Sequence, residues 1–253
     1  MENVKLFDTH IHVGQFRELY ESPKELVEYL SSVGVSRFAV SSTTICEYDY
    51  DKVIYEMKEL QTLCGNRLIP VLWILPEMLQ DGGLNKLMDS KIHWRCLKIH
   101  PQLHPETWLP ESKELRWVVS MASILQCPLL IHTGEMAGCY PHLYETVIAK
   151  NSNVTFILAH GRPIDETICL MEKYKNVWTD TAFMPNENIV KLCNKKLTDR
   201  ILWGTDYPIP KFYCPQLDMK NYYQNLVTKL KESVDNENFE KITYNNFERL
   251  FGK

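Results

Sequence analysis

An α/β fold, a single (β/α)₈ TIM barrel with an extra C-terminal helix, is what this sequence predicts, on three observations. The chain has 253 residues, 45% of them hydrophobic, enough for one large core at about the usual barrel length of 250 residues. Short β-rich apolar runs alternate with amphipathic stretches throughout. The apolar runs also end at regular intervals. Strand ends at His12, Ser42, Trp73, His100, His132, His160, Asp180 and Asp206 are separated by 30, 31, 27, 32, 28, 20 and 26 residues. An open doubly wound sheet is the alternative, but it more often carries a Gly-rich phosphate turn after its first strand, and here that turn reads HIHVG. One domain over residues 1–253 is the expected organisation.

In chain order, VKLFD opens the first strand. A helix over Pro23–Val33 follows, with Ser22 as N-cap, Pro23 at its first position, Leu26, Val27, Leu30 and Val33 on one face and Gly34 ending it. RFAVSS precedes a helix over Tyr50–Leu63, RLIPVLWIL forms the third strand, and RCLKI precedes a helix over Glu111–Leu125. PLLIH, VTFILAH and VWTDT alternate with helices over Tyr140–Ala149, Pro163–Tyr174 and Asn186–Cys193. RILWG and a helix over Leu217–Leu230 complete the eighth unit, and FEKITYNNFERLF is a ninth helical stretch packed over the barrel. The linkers Trp73–Gly83, Pro101–Ser112 and Tyr207–Gln216 all follow strands, so they should rise around the mouth and shape a pocket.

Composition narrows the function. A formal charge of -4 without clustered Lys and Arg does not suit a nucleic-acid partner. The opening MENVKLFDTHIH lacks a basic region followed by an apolar run, and no stretch is long enough to span a bilayer, so a cytoplasmic protein without a membrane partner is expected. The eight cysteines form no CxxC pair and read as buried thiols; Cys139 and His142 resemble half a zinc site that no second pair completes. Large barrels often pair, so a homodimer is an expectation.

Residues two apart on a straight strand share a face, so Asp8, His10 and His12 should point into the barrel together. Such a pair of imidazoles suits metal ligation, with a satisfied polar strand end as the alternative. Its company strengthens the metal reading: His132 ends PLLIH, His160 ends VTFILAH and Asp206 follows RILWG, all at the same end of the barrel. His nitrogens with one carboxylate suit Zn²⁺, with Mn²⁺, Fe²⁺ or Co²⁺ as alternatives.

FDTHIH, LKIHP, LLIHTG, FILAHG and ILWGTDYP resemble the successive motifs of the amidohydrolase superfamily, in particular the amidohydrolase-related branch that includes aminocarboxymuconate semialdehyde decarboxylase. The likeness runs from Phe7 to the closing FERLFG. It implies one divalent metal on His10, His12, His132 and Asp206, with His160 beside it as electrophile or acid/base, or on a second metal. Lys98 in LKIHP stands where binuclear members carry a carboxylated lysine and the related deoxyribonucleases use a glutamate. In the branch most resembled, one metal and a free lysine are usual.

The expected reaction is attack of activated water on an amide, lactone or ester carbonyl of a small molecule. Asp206 would take the water's proton and return it to the leaving group, with His160 beside the oxyanion. The same residues serve decarboxylation of an unsaturated carboxylic acid, and a metal-binding barrel without turnover is the third reading. Lys98 and Arg162 are candidate substrate contacts; the alternatives are pairing of Lys98 with a carboxylate and of Arg162 with Asp165. His100 and His104 are expected as solvated loop residues, Glu135 as a spare acid or helix cap, and Asp180 as a hydrogen-bonding orienter. Tyr207, Trp73 and Trp108 would give aromatic walls or pack in the core.

Overall fold

The computed structural model describes residues 5–252. Val4, where the predicted first strand begins, lies outside them. Among the described residues nine strands occur in the order β1 (Leu6–Phe16), β2 (Leu19–Glu21), β3 (Val35–Ser42), β4 (Leu68–Trp73), β5 (Cys96–Ile99), β6 (Leu129–His132), β7 (Phe156–Ala159), β8 (Val177–Asp180) and β9 (Ile201–Leu202). Each of β1 and β3 to β9 pairs in parallel with the next. The ring closes where residues after β9 meet β1: Thr9 N–H donates to Trp203 C=O at 2.8 Å, Asp206 N–H to His10 C=O at 2.7 Å and His12 N–H to Tyr207 C=O at 2.6 Å. An eight-stranded parallel barrel results, as predicted.

Local chemistry sets the helices. The first spans Pro23–Ser32 behind a complete capping box: Glu25 N–H donates to Ser22 Oγ at 3.2 Å and Ser22 N–H to Glu25 Oε2 at 3.1 Å. Helices over Tyr50–Cys64, Lys113–Leu125, Ile164–Lys173, Asn186–Asn194 and Met219–Ser233 lie close to their predicted ranges. Other segments differ. The predicted Tyr140–Ala149 helix divides into a 3₁₀ turn, Pro141–Tyr144, and a helix over Glu145–Lys150. The supposed loops after β4 and β9 contain helical turns at Met78–Asp81 and Ile209–Tyr213, and another helix follows at Gly83–Asp89. These turns are too short to show a period in sequence. β1 also continues past the barrel rim to pair antiparallel with β2, Gln15 opposite Tyr20.

Two apolar layers hold the barrel. The outer one lies between strands and helices, with Ile11, Leu72, Ile131 and Leu158 meeting Leu26, Met57, Val118 and Met171. The inner one fills the barrel with Phe7, Ala39, Ile69, Val71, Leu130, Ile157 and Trp178. The C-terminal helical stretch seals that end: Phe247 packs edge-on against Phe7 with ring centroids 5.1 Å apart. Asn246 Nδ2 donates to the Thr198 and Ile201 carbonyls, both at 2.7 Å. All eight cysteines are free; Cys64, Cys96, Cys127 and Cys139 are buried as expected, whereas Cys46, Cys193 and Cys214 are half-buried and Cys169 is exposed. Among the described residues no helix is long and apolar enough to cross a membrane.

Phe247 is 1% exposed inside the plug. Phe247→Ala is expected to cost about 3–5 kcal/mol, read as a lower urea midpoint; a loss under about 1 kcal/mol would show that the plug is dispensable.

Candidate active site

β1 does not run straight. Its pairing with β3 shifts register between Asp8 and Ile11, and Phe7 rather than Asp8 joins the inner core. Asp8 instead accepts from Thr205 through N–H at 3.2 Å and Oγ1 at 2.7 Å. The expectation that Asp8 shares the inner face is therefore corrected, because the irregularity resets the alternation. His10 and His12, both 3% exposed, do face inward.

Hydrogen-bond partners fix the tautomers. His10 Nδ1–H donates to Asp180 Oδ2 at 2.9 Å. Lys98 Nζ, which only donates, lies 3.1 Å from His10 Nε2 and 3.2 Å from His12 Nε2. Both Nε2 atoms thus accept, and His12 Nδ1–H donates to Ser41 Oγ at 3.0 Å. Asp206 Oδ1 lies 3.4 Å and 2.9 Å from those two Nε2 atoms, yet it is buried with no aligned donor. Two imidazole lone pairs converging with an orphaned carboxylate oxygen form a donor set that fits a divalent cation, and His10, His12 and Asp206 offer atoms within 4.8 Å of one another.

Burial dominates the electrostatics. It pushes the His12 imidazole down to about 3, helped by the Lys98 charge, and the His160 imidazole down to about 4. Burial would raise the Asp206 carboxyl, but His10, His12 and His160 outweigh it and hold it well below the usual carboxylate range. Lys98 is lowered by burial to about 8, opposed by Asp206 and Asp180. Its ammonium sits 4.5 Å from the Trp73 ring centre, and no carboxylate pairs with it among the described residues.

His160 follows β7 in a left-handed backbone, φ 69°, and Asp206 adopts φ 59°; each costs an L-residue about 1–2 kcal/mol. Gly161 continues the turn at φ 56°, where a Cβ would lie 2.5 Å from Met184 Cε and 2.6 Å from Thr179 Oγ1. Asp180 Oδ1 accepts from the backbone N–H of His160 and of Ala182, both at 3.0 Å. It orients His10 and His160 together. His160 Nδ1–H donates to the Ala182 carbonyl at 3.0 Å, so its Nε2 accepts from His132 Nδ1–H at 3.0 Å. His132 lies outside the His10–His12–Asp206 group, half-buried on the cavity wall with its own Nε2 left as the lone-pair nitrogen.

A cavity of about 530 Å³ opens above these residues, and Lys98, His132, His160 and Arg162 line it. Arg162 does not pair with Asp165, which pairs with Lys191; its Nε is buried without a partner. The guanidinium lies over Gly134, with Nη2 3.7 Å from where a Cβ would stand. His100 is no solvated loop residue. It stacks between Trp73 (centroids 5.4 Å) and His132 (3.8 Å), because Lys98 and His100 share the inward face of the strand and its extension. His104 instead lies 3.6 Å from Glu77. Of the aromatic candidates, Trp73 lines the cavity. Tyr207 stacks on Tyr29 and donates to Glu21 Oε1 at 2.7 Å, and Trp108 is core. Glu135 is exposed at the cavity edge and caps no described helix. Cys139 is buried while His142 bonds Glu166. Phe183 and Tyr213 also line the cavity but carry no sequence signal, because both lie in irregular or short segments without a period.

Residues 90–253 match the family model described as amidohydrolase. No curated protein sequence matches the chain. Among solved structures, an uncharacterized TIM-barrel protein from Bordetella bronchiseptica is 17% identical with a TM-score of 0.73, over 99% of this chain and 100% of that one. A probable 2-pyrone-4,6-dicarboxylic acid hydrolase from Acinetobacter baumannii, solved with citric acid bound, is 12% identical with a TM-score of 0.68, over 99% and 100%. The IDCase of Metarhizium anisopliae is 13% identical with a TM-score of 0.67, over 99% and 97%. At these identities the likeness is one of fold.

The donor geometry yields two expectations, both read by metal analysis after dialysis. Replacing His10 and His12 together by Ala should abolish retained Zn²⁺ or Mn²⁺, and undiminished metal would refute the donor set. Asp180→Asn should weaken metal affinity about 10- to 100-fold by releasing the His10 ring, and an unchanged affinity would remove Asp180 from the site.

Proposed function

Because the chain belongs to the amidohydrolase family, we propose that it is a metal-dependent hydrolase of an amide, lactone or ester carbonyl in a small carboxylic acid. The observation that carries this reading is the unpartnered Asp206 Oδ1 facing two Nε2 acceptors at the floor of the cavity. His10, His12 and Asp206 would hold one divalent ion, Zn²⁺ by their chemistry, and His132 would join them only by moving its Nε2 in from the cavity wall. Bound there, the ion would polarise the carbonyl and lower the pKa of a water to about 7.

The chain's own groups divide the remaining work. Asp206 accepts the proton released during attack and returns it to the leaving group. His160 Nε2 is an acceptor in its present tautomer, so it serves as a base, or as the oxyanion's donor once it has taken a proton. Lys98 and Arg162 place cations on the floor and on one wall, where a substrate carboxylate would bind. Asp180 positions His10 and His160 without touching the reacting atoms.

Arg162 supports a second reading. A guanidinium that lines the cavity and has a buried, unpartnered Nε suits decarboxylation of an unsaturated acid, where the same residues would hold the carboxylate and stabilise charge as CO₂ departs.

Reconstituted with Zn²⁺ or Mn²⁺, the protein is expected to turn over members of a panel of lactones, amides, esters and unsaturated carboxylic acids. Ring-opened or cleaved acids mark the hydrolase, and CO₂ release marks the second reading. Asp206→Asn should lower kcat at least about 100-fold, while Arg162→Gln should act mainly on KM, raising it about 10- to 100-fold. Tight metal binding with no turnover under any metal would assign the chain to a non-catalytic barrel.

A further inference from the structure

The cavity is divided in depth. Its floor is ionic and buried, whereas four large apolar side chains at its mouth, Leu103, Met136, Phe183 and Tyr213, are 49%, 49%, 37% and 71% exposed. Single exposed apolar residues are ordinary, but four gathered on the rim of one polar cavity make a patch that folding does not explain. Phe183 is the most informative. It occupies the third position of the turn Thr181–Met184, closed by Met184 N–H donating to Thr181 C=O at 3.0 Å. Its backbone is left-handed at φ 54°, where Gly or Asn is the ordinary occupant and a bulky aromatic is rare.

The same turn aims the Ala182 carbonyl at His160 and carries the Phe183 ring to the mouth. That ring lies 6.1 Å from the His160 ring and edge-on to Tyr213, centroids 6.4 Å apart at 81°. An aromatic held in an unfavourable conformation and still half in solvent is placed for something that binds there. The cavity volume of about 530 Å³ falls in the range of sites for drug-sized ligands, so there is room for more than a carboxylate and a carbonyl. The rim continues the cavity wall, which favours part of the same small molecule over a separate partner.

We propose that Phe183 and Tyr213 form an aromatic clamp that selects substrates bearing an aryl group at the end remote from the carboxylate. This rests on the reading above, in which Arg162 and the floor hold the polar end. The clamp acts through ring stacking and edge contacts, so it sets specificity and makes no demand on the bond-breaking step.

Calorimetric titration of the full chain with propanoate and with 3-phenylpropanoate tests it. The wild type is expected to prefer the aryl acid at least about tenfold. Phe183→Ala and Tyr213→Ala should each cut that preference to about threefold or less while leaving propanoate affinity unchanged. Phe183→Gly guards against a folding artefact: glycine adopts this backbone freely, so the variant should melt no lower than wild type and still lose the preference. Equal binding of the two acids by wild type, or a preference intact in all three variants, overturns the clamp. So does a dimer that dissociates on Tyr213→Ala with ligand selectivity unchanged, which would give the rim to a second copy of the chain. Arg162→Gln should weaken both acids alike. If it weakens neither while the rim variants lose selectivity, the clamp stands and the anchoring role of Arg162 falls.

Discussion

The hydrogen bonds that close the barrel are the constraint on which everything else in this molecule depends. Asp206 N–H reaches the His10 carbonyl and His12 N–H reaches the Tyr207 carbonyl, joining β1 to the segment that follows β9. The contacts that finish the fold are thereby the ones that set Asp206 Oδ1 against the two imidazoles. Folding and site assembly are one event, and a barrel that failed to close would lose both.

Convergence alone does not make a binding site, since a buried carboxylate and two buried imidazoles are each costly to remove from water. Their outer partners resolve that cost and impose direction. Asp180 accepts a hydrogen bond from His10 Nδ1–H, Ser41 Oγ from His12 Nδ1–H, and the Ala182 carbonyl from His160 Nδ1–H. Each ring is left with one nitrogen lone pair and a fixed orientation. Asp180 does most of this, because one carboxylate accepts from His10, His160 and Ala182 together. The left-handed residues His160 and Asp206 are tolerated because these bonds, with Gly161 beside them, over-determine the backbone.

The two ends of the barrel are used differently. The N-terminal end is packed with Phe247 and Phe251 against Phe7, whereas His10, His12, Lys98 and Asp206 line a cavity at the other end. Around the open end, irregular segments after several strands bring both cations and apolar rings to one cavity. A rigid barrel holds the donors, and the connecting segments shape what can approach them.

Much of this was legible in the sequence. The alternation of apolar runs and amphipathic stretches defined the barrel, the capping box defined the first helix, and the positions of His132, His160 and Asp206 at or after strand ends followed from where each apolar run stopped, although β1 runs on past His10 and His12 to Phe16. These features are local, and period and residue type suffice for them. The direction of Asp8, the stacking of His100 between Trp73 and His132, the acceptor role of His160 Nε2 and the placing of Phe183 at the mouth were decided only by tertiary structure. Each depends on something without a sequence signature: a register shift in β1, a left-handed residue, or a partner tens to hundreds of residues away. The sequence determined that His10, His12, His132, His160 and Asp206 share one end of the barrel, and the fold determined which atom of each group faces the centre, because orientation is set by hydrogen-bond partners that only the closed ring brings together.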